Sequence, residues 1–125
     1  MIIGIGIDSV EIHRFAHWQN YSKNRLQRIF SDEEIVYCLS NSLKSAERFA
    51  ARFAAKEAFY KAISPLHPQE PFLKVAKYIE VNHEDGRPVL HANRERFYSV
   101  HPTICHISLT HTKTTTTAVV IIEKI

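Results

Sequence analysis

The sequence has few of the features that mark exported, membrane or secreted proteins. It contains only two cysteines, Cys38 and Cys105, which lie far apart, and it has no apolar run long enough to span a membrane. Residues 2–8 follow the first methionine without the basic segment and cleavage site of a signal peptide. We therefore expect free buried thiols, no membrane association and a cytoplasmic location.

Patterns typical of zinc sites, repeats and linkers are also missing. His13 and His17 are four residues apart, but no second histidine pair and no Cys-x-x-Cys accompanies them. The run Thr114–Thr117 is the one low-complexity tract. A chain of 125 residues with 45% hydrophobic and 23% charged residues therefore predicts a single globular domain, residues 1–125.

The formal net charge of +3 indicates an anionic partner. Nucleic acid, an acidic protein and a phosphate-bearing small molecule all fit this charge. The chain lacks the dense basic run with interleaved aromatic residues that is typical of nucleic-acid surfaces. We therefore expect no nucleic-acid partner.

Residues 48–62 form the centre of the sequence. They carry strong helix formers and neither glycine nor proline, which predicts a helix. Glu57 and Lys61 are one turn apart and share a stripe with Ala50 and Ala54. We expect this band of small side chains to leave space for a ligand or a metal beside the helix. The alternative is an ordinary surface pair worth a few tenths of a kcal/mol.

Residues 2–12 alternate between isoleucine and smaller residues, which predicts a strand. Gly4, Gly6 and Asp8 share one face, so that face is open to close approach. Asp8, where this open face ends, is a candidate cation ligand. The alternative is an aspartate that caps the following turn.

The next segments are rich in basic residues and helix-capping residues. Residues 20–29 predict a basic helical segment, and Ser31 with Glu34 forms a capping-box pattern. Ser42 and Ser45 are candidate caps of the central helix. Three arginines in the first 28 residues form either a solvated basic face or a docking surface for an acidic protein. These arginines are Arg14, Arg25 and Arg28.

The second half of the chain predicts mostly strands and turns. Prolines at 65, 68 and 71 exclude regular structure up to residue 72. Glu84-Asp85-Gly86 between two β-rich runs predicts a hairpin turn. The remaining elements are strands at 75–83, 88–91, 103–110 and 116–125 and a short helix at 93–99, with Asn93 as its candidate cap. Helices and strands are mixed rather than alternating, which predicts an α+β fold with a mainly antiparallel sheet around the long central helix.

Three separate motifs occur in the order and spacing of one enzyme family. Together they resemble the signature of the holo-acyl-carrier-protein synthases, the small phosphopantetheinyl transferases, and the resemblance extends over residues 4–123. The motifs are Gly4-Ile-Gly-Ile-Asp8, Arg52-Phe-Ala-Ala-Lys-Glu-Ala58 with Lys61, and Ser108-Leu-Thr-His111.

This resemblance implies transfer of 4′-phosphopantetheine from coenzyme A to a serine of apo acyl-carrier protein, in support of fatty acid biosynthesis. Asp8 and Glu57 would bind Mg²⁺, and Lys61 would offset phosphate charge, which makes these three residues the catalytic set. The serine proton would pass to Glu57 or to a metal-bound water, and the sequence does not distinguish the two. The residues implied to bind coenzyme A are Arg52, Lys56, Gly86, Arg87, Pro88, His111 and Thr112.

The family also implies a homotrimer with its sites between subunits. The hairpin residues and His111 would then meet the coenzyme across the interface from Asp8 and Glu57. The three arginines would dock the acidic carrier protein. Two stretches depart from the family: residues 64–70 lack its glycines, and Thr114–Thr117 replaces an aromatic and small residues.

Two readings compete with an active enzyme. A non-catalytic basic module would explain the charge, but it would not explain Asp8 and Glu57, which repel phosphate without a metal. A degenerate relative that folds but turns over poorly would explain the two departures from the family pattern.

Overall fold

One long helix is held against antiparallel strands in the computed structural model, which describes residues 1–67, 70–97 and 102–125. The helices are α1 (Lys23–Leu26), α2 (Asp32–Leu39), α3 (Ser45–Ile63), α4 (Phe72–Val75) and α5 (Arg94–Phe97). The strands are β1 (Ile2–Glu11), β2 (Ile79–Glu84), β3 (Arg87–Ala92), β4 (Thr103–His111) and β5 (Thr115–Lys124).

The strands form two antiparallel sheets in the described part of the chain. The larger sheet has the order β1-β5-β4, and β2 pairs with β3 in the smaller one. Helix α3 packs along the larger sheet, chiefly against β1 and β5. The prediction of an α+β fold with antiparallel strands around one central helix is confirmed.

The glycines of β1 allow α3 to lie directly on the strand. A Cβ atom at Gly6 would come within 1.9 Å of the Ala58 carbonyl oxygen, and one at Gly4 within 2.3 Å of the Ala62 carbonyl oxygen. The sequence predicted this close approach, and the group that approaches is the backbone of α3. Asp8 follows on the same face of β1 and therefore points toward the helix.

The prediction that small side chains leave space for a ligand beside α3 is wrong at two alanines. Ala50 and Ala54 are fully buried in the core. Small side chains leave room for a ligand only where no other element covers them, and here other parts of the core do. The two cysteines are free, and burial raises the pKa of each thiol to about 12.

Four local predictions need correction. Residues 72–78 are helical, and the strand predicted at 75–83 begins only at Ile79. The segment 20–29 contains one short helix, α1, rather than a continuous one. Neither Ser42 nor Ser45 caps α3. Instead the Asn41 side-chain oxygen accepts hydrogen bonds from the backbone amides of residues 43 and 44.

The predicted hairpin and capping box are confirmed. Asp85 and Gly86 both have positive φ, 53° and 77°, in the two-residue turn between β2 and β3. The Ser31 hydroxyl accepts from the Glu34 backbone amide, and the Glu34 side chain accepts from the Ser31 amide. Asn93 caps α5 through the Arg96 amide. The predicted end of that helix, at residues 98 and 99, and positions 68 and 69 of the proline-rich loop lie outside the described residues.

The face of the larger sheet that turns away from α3 carries exposed isoleucines that none of the described residues covers. Ile5 and Ile7 of β1 are 66% and 60% exposed, and Ile104 of β4 is 44% exposed. None of the helices in the described part of the chain is both long and apolar enough to cross a bilayer.

Candidate active site

Asp8 and Lys61 meet where β1 crosses the end of α3. The Lys61 ammonium donates to Asp8 Oδ1 at 2.9 Å and to the Ile7 carbonyl oxygen at 3.0 Å. Asp8 Oδ2 is buried and has no hydrogen-bond partner among the residues that the structure describes. A buried carboxylate oxygen without a partner is costly, so this atom marks a place where a ligand or cation would be stabilised.

Glu57 lies one turn before Lys61 on the same side of α3. Burial raises the pKa of its carboxyl group, and the nearby charge of Asp8 raises it further, while Lys61 and Arg14 act in the opposite direction. The two carboxylates therefore share one small region, as the sequence predicted from their motifs. A carboxyl group whose ionisation is opposed by burial and by a second carboxylate marks a site short of positive charge.

These residues fit a Mg²⁺ ion. Asp8 and Glu57 offer carboxylate oxygens, the ligands that Mg²⁺ prefers, and Asp8 Oδ2 is available. No group of three or more His, Cys, Asp or Glu side chains with metal-site geometry occurs in residues 1–67, 70–97 and 102–125. A two-carboxylate site is consistent with Mg²⁺, which usually keeps several waters and shares its shell with substrate phosphates.

The three basic residues predicted for docking occupy two neighbouring positions. Arg14 lies beside the carboxylates, and its positive charge lowers the pKa of Glu57. The Arg14 Cζ atom is 5.9 Å from the centre of the Phe53 ring. Arg25 stacks 3.8 Å from the Tyr21 ring at α1, and Arg28 is exposed after the same helix. The structure thus places an exposed basic surface next to the candidate site.

A second feature is a pocket of about 410 Å³ around Arg52. Arg52 is only 3% exposed, its guanidinium Cζ lies 4.2 Å from the Tyr37 ring, and Nη2 lies 3.3 Å from His83 Nδ1. Burial lowers the pKa of His83, and the charges of Arg52 and Arg48 lower it further. Arg52 Nε has no partner among the described residues. The pocket therefore presents a buried guanidinium donor to an incoming acceptor.

The predicted coenzyme contacts of the hairpin adjoin this pocket. Residues 81–84 of β2 line it. Pro88 pairs with His83 in the smaller sheet, and Gly86 and Arg87 are exposed at the hairpin tip. The structure thus brings Arg52 and the hairpin together, as a group separate from the Asp8–Lys61 contact.

His111 and Thr112 lie at the far side of the larger sheet. Register places β4 two strands away from β1, roughly 10 Å at the usual strand spacing, and His111 is further along than the partner of Asp8. His111 Nε2 lies 2.9 Å from Glu47 Oε1. Within one chain the structure does not bring His111 together with the two carboxylates.

Lys56 corrects the sequence-based set of coenzyme ligands. Its side chain is fully buried, and the ammonium donates to Glu34 Oε1 at 2.7 Å and to the carbonyl oxygens of Ile29 and Ala76. All three of its hydrogens are used inside the protein. Lys56 therefore has no free donor for coenzyme A, and it is removed from that set.

Sequence reasoning missed two acidic partners, Glu34 of Lys56 and Glu47 of His111. The capping-box pattern indicated one role for Glu34, and nothing in the local sequence indicated the second. Glu34 and Lys56 are separated by 22 residues, and their pairing depends on how α2 packs against α3.

Comparisons with known proteins agree with this geometry. The family model described as the 4′-phosphopantetheinyl transferase superfamily matches residues 4–120. The holo-[acyl-carrier-protein] synthase of Treponema denticola is 40% identical over 126 residues, which cover 98% of this chain and 99% of that protein. The corresponding protein of Bacillus velezensis is 36% identical over 100% of this chain and 98% of its own.

Solved structures give the same result. A Bacillus anthracis holo-(acyl-carrier-protein) synthase in complex with coenzyme A (3′,5′-ADP) superposes with a TM-score of 0.77 at 32% identity, covering 98% of this chain and 97% of that one. The extent of these matches, and not any single motif, decides the assignment. The chain belongs to the holo-[acyl-carrier-protein] synthase family within the 4′-phosphopantetheinyl transferase superfamily.

Proposed function

We propose that this protein transfers the 4′-phosphopantetheine group of coenzyme A to a serine of apo acyl-carrier protein. The serine oxygen forms a bond to the phosphorus that carries the pantetheine arm. The bond from that phosphorus to the bridging oxygen breaks, and adenosine 3′,5′-bisphosphate leaves. The observation that carries the proposal is the meeting of Asp8, Glu57 and Lys61, with one carboxylate oxygen left without a partner. By the same family membership, we propose a cytoplasmic enzyme that supports fatty acid biosynthesis.

Asp8 and Glu57 are proposed to hold Mg²⁺. When bound, the ion would neutralise charge on the pyrophosphate and on the leaving group. Asp8 contributes the buried oxygen Oδ2, and Glu57 contributes the carboxylate whose pKa is raised by burial and by Asp8. A cation between them would relieve both costs, because it supplies the positive charge that the site lacks.

Lys61 is proposed to contact the phosphates. Its ammonium is fixed by Asp8 and by the Ile7 carbonyl oxygen, yet half of the side chain remains exposed. A cation that is held in place and still reachable can offset charge that develops on the transferred group. Phosphoryl transfer depends mainly on such positioning and electrostatic stabilisation.

The nucleotide end of coenzyme A is proposed to bind at Arg52 and the hairpin. The unpartnered Nε of Arg52 and the exposed Arg87 supply donors for phosphate, and Gly86 with Pro88 shapes the turn beside the pocket. His111 and Thr112 are proposed to reach the same coenzyme from a neighbouring subunit, because they lie far from Asp8 within one chain.

That arrangement requires an oligomer, and we propose a homotrimer. The uncovered sheet face offers the means of assembly, because Ile5 and Ile7 are exposed on β1 and Ile104 is exposed on β4, with β5 between the two strands. Several large apolar side chains exposed on one face are typical of a protein interface. Arg14, Arg25 and Arg28 remain exposed and are proposed to dock the acidic carrier protein.

Release of adenosine 3′,5′-bisphosphate tests the reaction. We expect chromatography to detect it from coenzyme A only when apo carrier protein, Mg²⁺ and this protein are all present. An Asp8→Asn variant should release it at about 1% of the wild-type rate or less, because one metal ligand is weakened. Release that persists in excess EDTA would contradict the metal assignment, and absence of release with several carrier proteins would contradict the reaction.

A further inference from the structure

A fully buried ion pair lies between the parts of the proposed site. Lys56 Nζ and Glu34 Oε1 are 2.7 Å apart, and both side chains are 0% exposed. Burial lowers the pKa of Lys56, and the charge of Glu34 opposes that shift. Apolar residues of similar volume often stabilise a core as well as a buried pair does. Stability alone therefore does not account for two charges at this position.

The ammonium of Lys56 connects three segments. It donates to the Ile29 carbonyl oxygen at 2.6 Å and to the Ala76 carbonyl oxygen at 3.2 Å, in addition to Glu34. Ile29 directly follows Arg28 of the proposed docking surface. Lys56 itself directly precedes Glu57 on α3. One ammonium therefore joins the docking segment to the turn of α3 that carries a proposed metal ligand.

The carboxylate of Glu34 extends the connection to the coenzyme side. Oε1 accepts the Ser31 backbone amide at 2.9 Å, and Oε2 accepts the Val81 backbone amide at 3.0 Å. Val81 is a buried residue of β2 that lies two positions before His83, and both residues line the Arg52 pocket. Glu34 therefore fixes the strand that leads into the proposed coenzyme-binding hairpin.

We propose that Glu34 and Lys56 are positioning residues that hold the docking segment, the metal-binding carboxylate and the coenzyme hairpin in register with one another. The inference rests on the proposed function. Both side chains are fully buried, and Glu34 lies in the wall of the Arg52 pocket, so we expect the pair to act through the elements that it holds. What changes is the distance between the surfaces. A displacement of about 1 Å between reacting groups can cost roughly 100-fold in rate.

The double variant Glu34→Gln/Lys56→Met tests this proposal. It removes both charges, preserves most of the packing volume and keeps a side-chain oxygen for one of the two backbone amides that donate to Glu34. Calorimetric titration with coenzyme A counts functional sites and gives Kd. Transfer to apo carrier protein at saturating substrates then gives kcat per site. We expect Kd within about 3-fold of wild type and kcat per site lower by about 10- to 100-fold.

Two further variants keep the test decisive. Glu34→Gln alone keeps one acceptor oxygen but leaves one of the two carboxylate positions, which accept from the Ser31 and Val81 backbone amides, as an amide nitrogen that cannot accept, so its kcat per site should also be lower than that of wild type. Ile122→Ala opens a cavity in the core on β5, which contributes no partner to the pair, and should keep kcat per site. It controls for lost stability.

The outcomes separate this inference from the proposed function. Wild-type protein without transfer activity would refute the function itself. Active wild type with unchanged kcat per site in both Glu34 variants would overturn the positioning role. Lost coenzyme affinity with unchanged kcat per bound site would also overturn it, because the pair would then serve binding alone.

Discussion

At the scale of single residues, Glu57 carries its charge in surroundings that oppose it. Burial and Asp8 raise the pKa of its carboxyl group. The native protein therefore binds this proton more tightly than the unfolded chain does. The resulting contribution to stability is fully present below the ordinary pKa, and it is lost as pH rises through the raised value. At neutral pH, without a cation, ionised Glu57 costs stability.

Glu57→Gln should therefore separate stability from activity. We expect the variant to raise the thermal midpoint of the protein in EDTA at neutral pH by a few degrees, and to lower the transfer rate by about 100-fold or more. Differential scanning calorimetry and the transfer assay measure the two effects. Glu95→Gln on exposed α5 is the matched control and should change neither. A lower midpoint for Glu57→Gln would show that ionised Glu57 stabilises the metal-free fold.

At the scale of elements, contact between β1 and α3 sets the geometry of the site. A methyl group at Gly6 would meet the Ala58 carbonyl oxygen at 1.9 Å and the Ala62 amide nitrogen at 2.8 Å. Backbone atoms cannot yield as a flexible side chain does, so the strand must move away from the helix. We expect Gly6→Ala to cost about 3 kcal/mol or more in urea unfolding.

The same displacement would separate Asp8 from Lys61 and reduce transfer even in the folded fraction. Ser9→Ala on the opposite face of β1 is the control, and it should cost less than about 1 kcal/mol. Near-native stability of Gly6→Ala would contradict the close packing of β1 on α3.

The hairpin between β2 and β3 provides a second test at this scale. Gly86 has open space around it but a φ of 77°. Gly86→Val should therefore lower the free energy of unfolding by about 1 kcal/mol or more and raise the KM for coenzyme A. Gly86→Asn should be tolerated, because asparagine adopts positive φ more readily. Equal effects of the two substitutions on the urea midpoint and KM would indicate that side-chain size, and not backbone conformation, matters at the turn.

Comparison of elements shows what the sequence alone could predict. Asp8, Glu57 and Lys61 were recognised because each lies in a short motif whose spacing is local. The family motif implies a coenzyme contact for Lys56, but neither the motif nor helical periodicity shows which element covers its side chain. The predicted strand 75–83 is too long, because the residues before Ile79 form helical turns that no capping or turn residue marks. Long-range packing decided both cases.

At the scale of the whole molecule, the uncovered sheet face predicts assembly. Ile7→Glu places a charge among the exposed isoleucines of this face, so we expect monomers in light scattering after size exclusion and loss of most transfer activity. Leu43→Glu is the matched control, because Leu43 is 96% exposed on a loop. It should leave the oligomer and the activity unchanged. An active monomeric Ile7→Glu variant would contradict sites shared between subunits.

The basic surface predicts that salt affects the two substrates differently. Ions screen exposed charges over about 10 Å at 0.1 M, so the KM for carrier protein should rise several-fold between about 0.05 M and 0.3 M NaCl. The KM for coenzyme A should change less, because Arg52 is buried. Arg14→Ala should raise the first KM and flatten its salt dependence. Equal salt sensitivity of both KM values would argue against docking through Arg14, Arg25 and Arg28.

The intact mass of apo carrier protein, measured after incubation with this protein, coenzyme A and Mg²⁺, tests the central claim most directly. We predict a gain of one phosphopantetheine group on the serine of the carrier protein, and no gain with Glu57→Gln under the same conditions. An unchanged mass with a carrier protein that other family members accept would contradict the proposed function. An equal gain with Glu57→Gln would contradict the role of the two carboxylates.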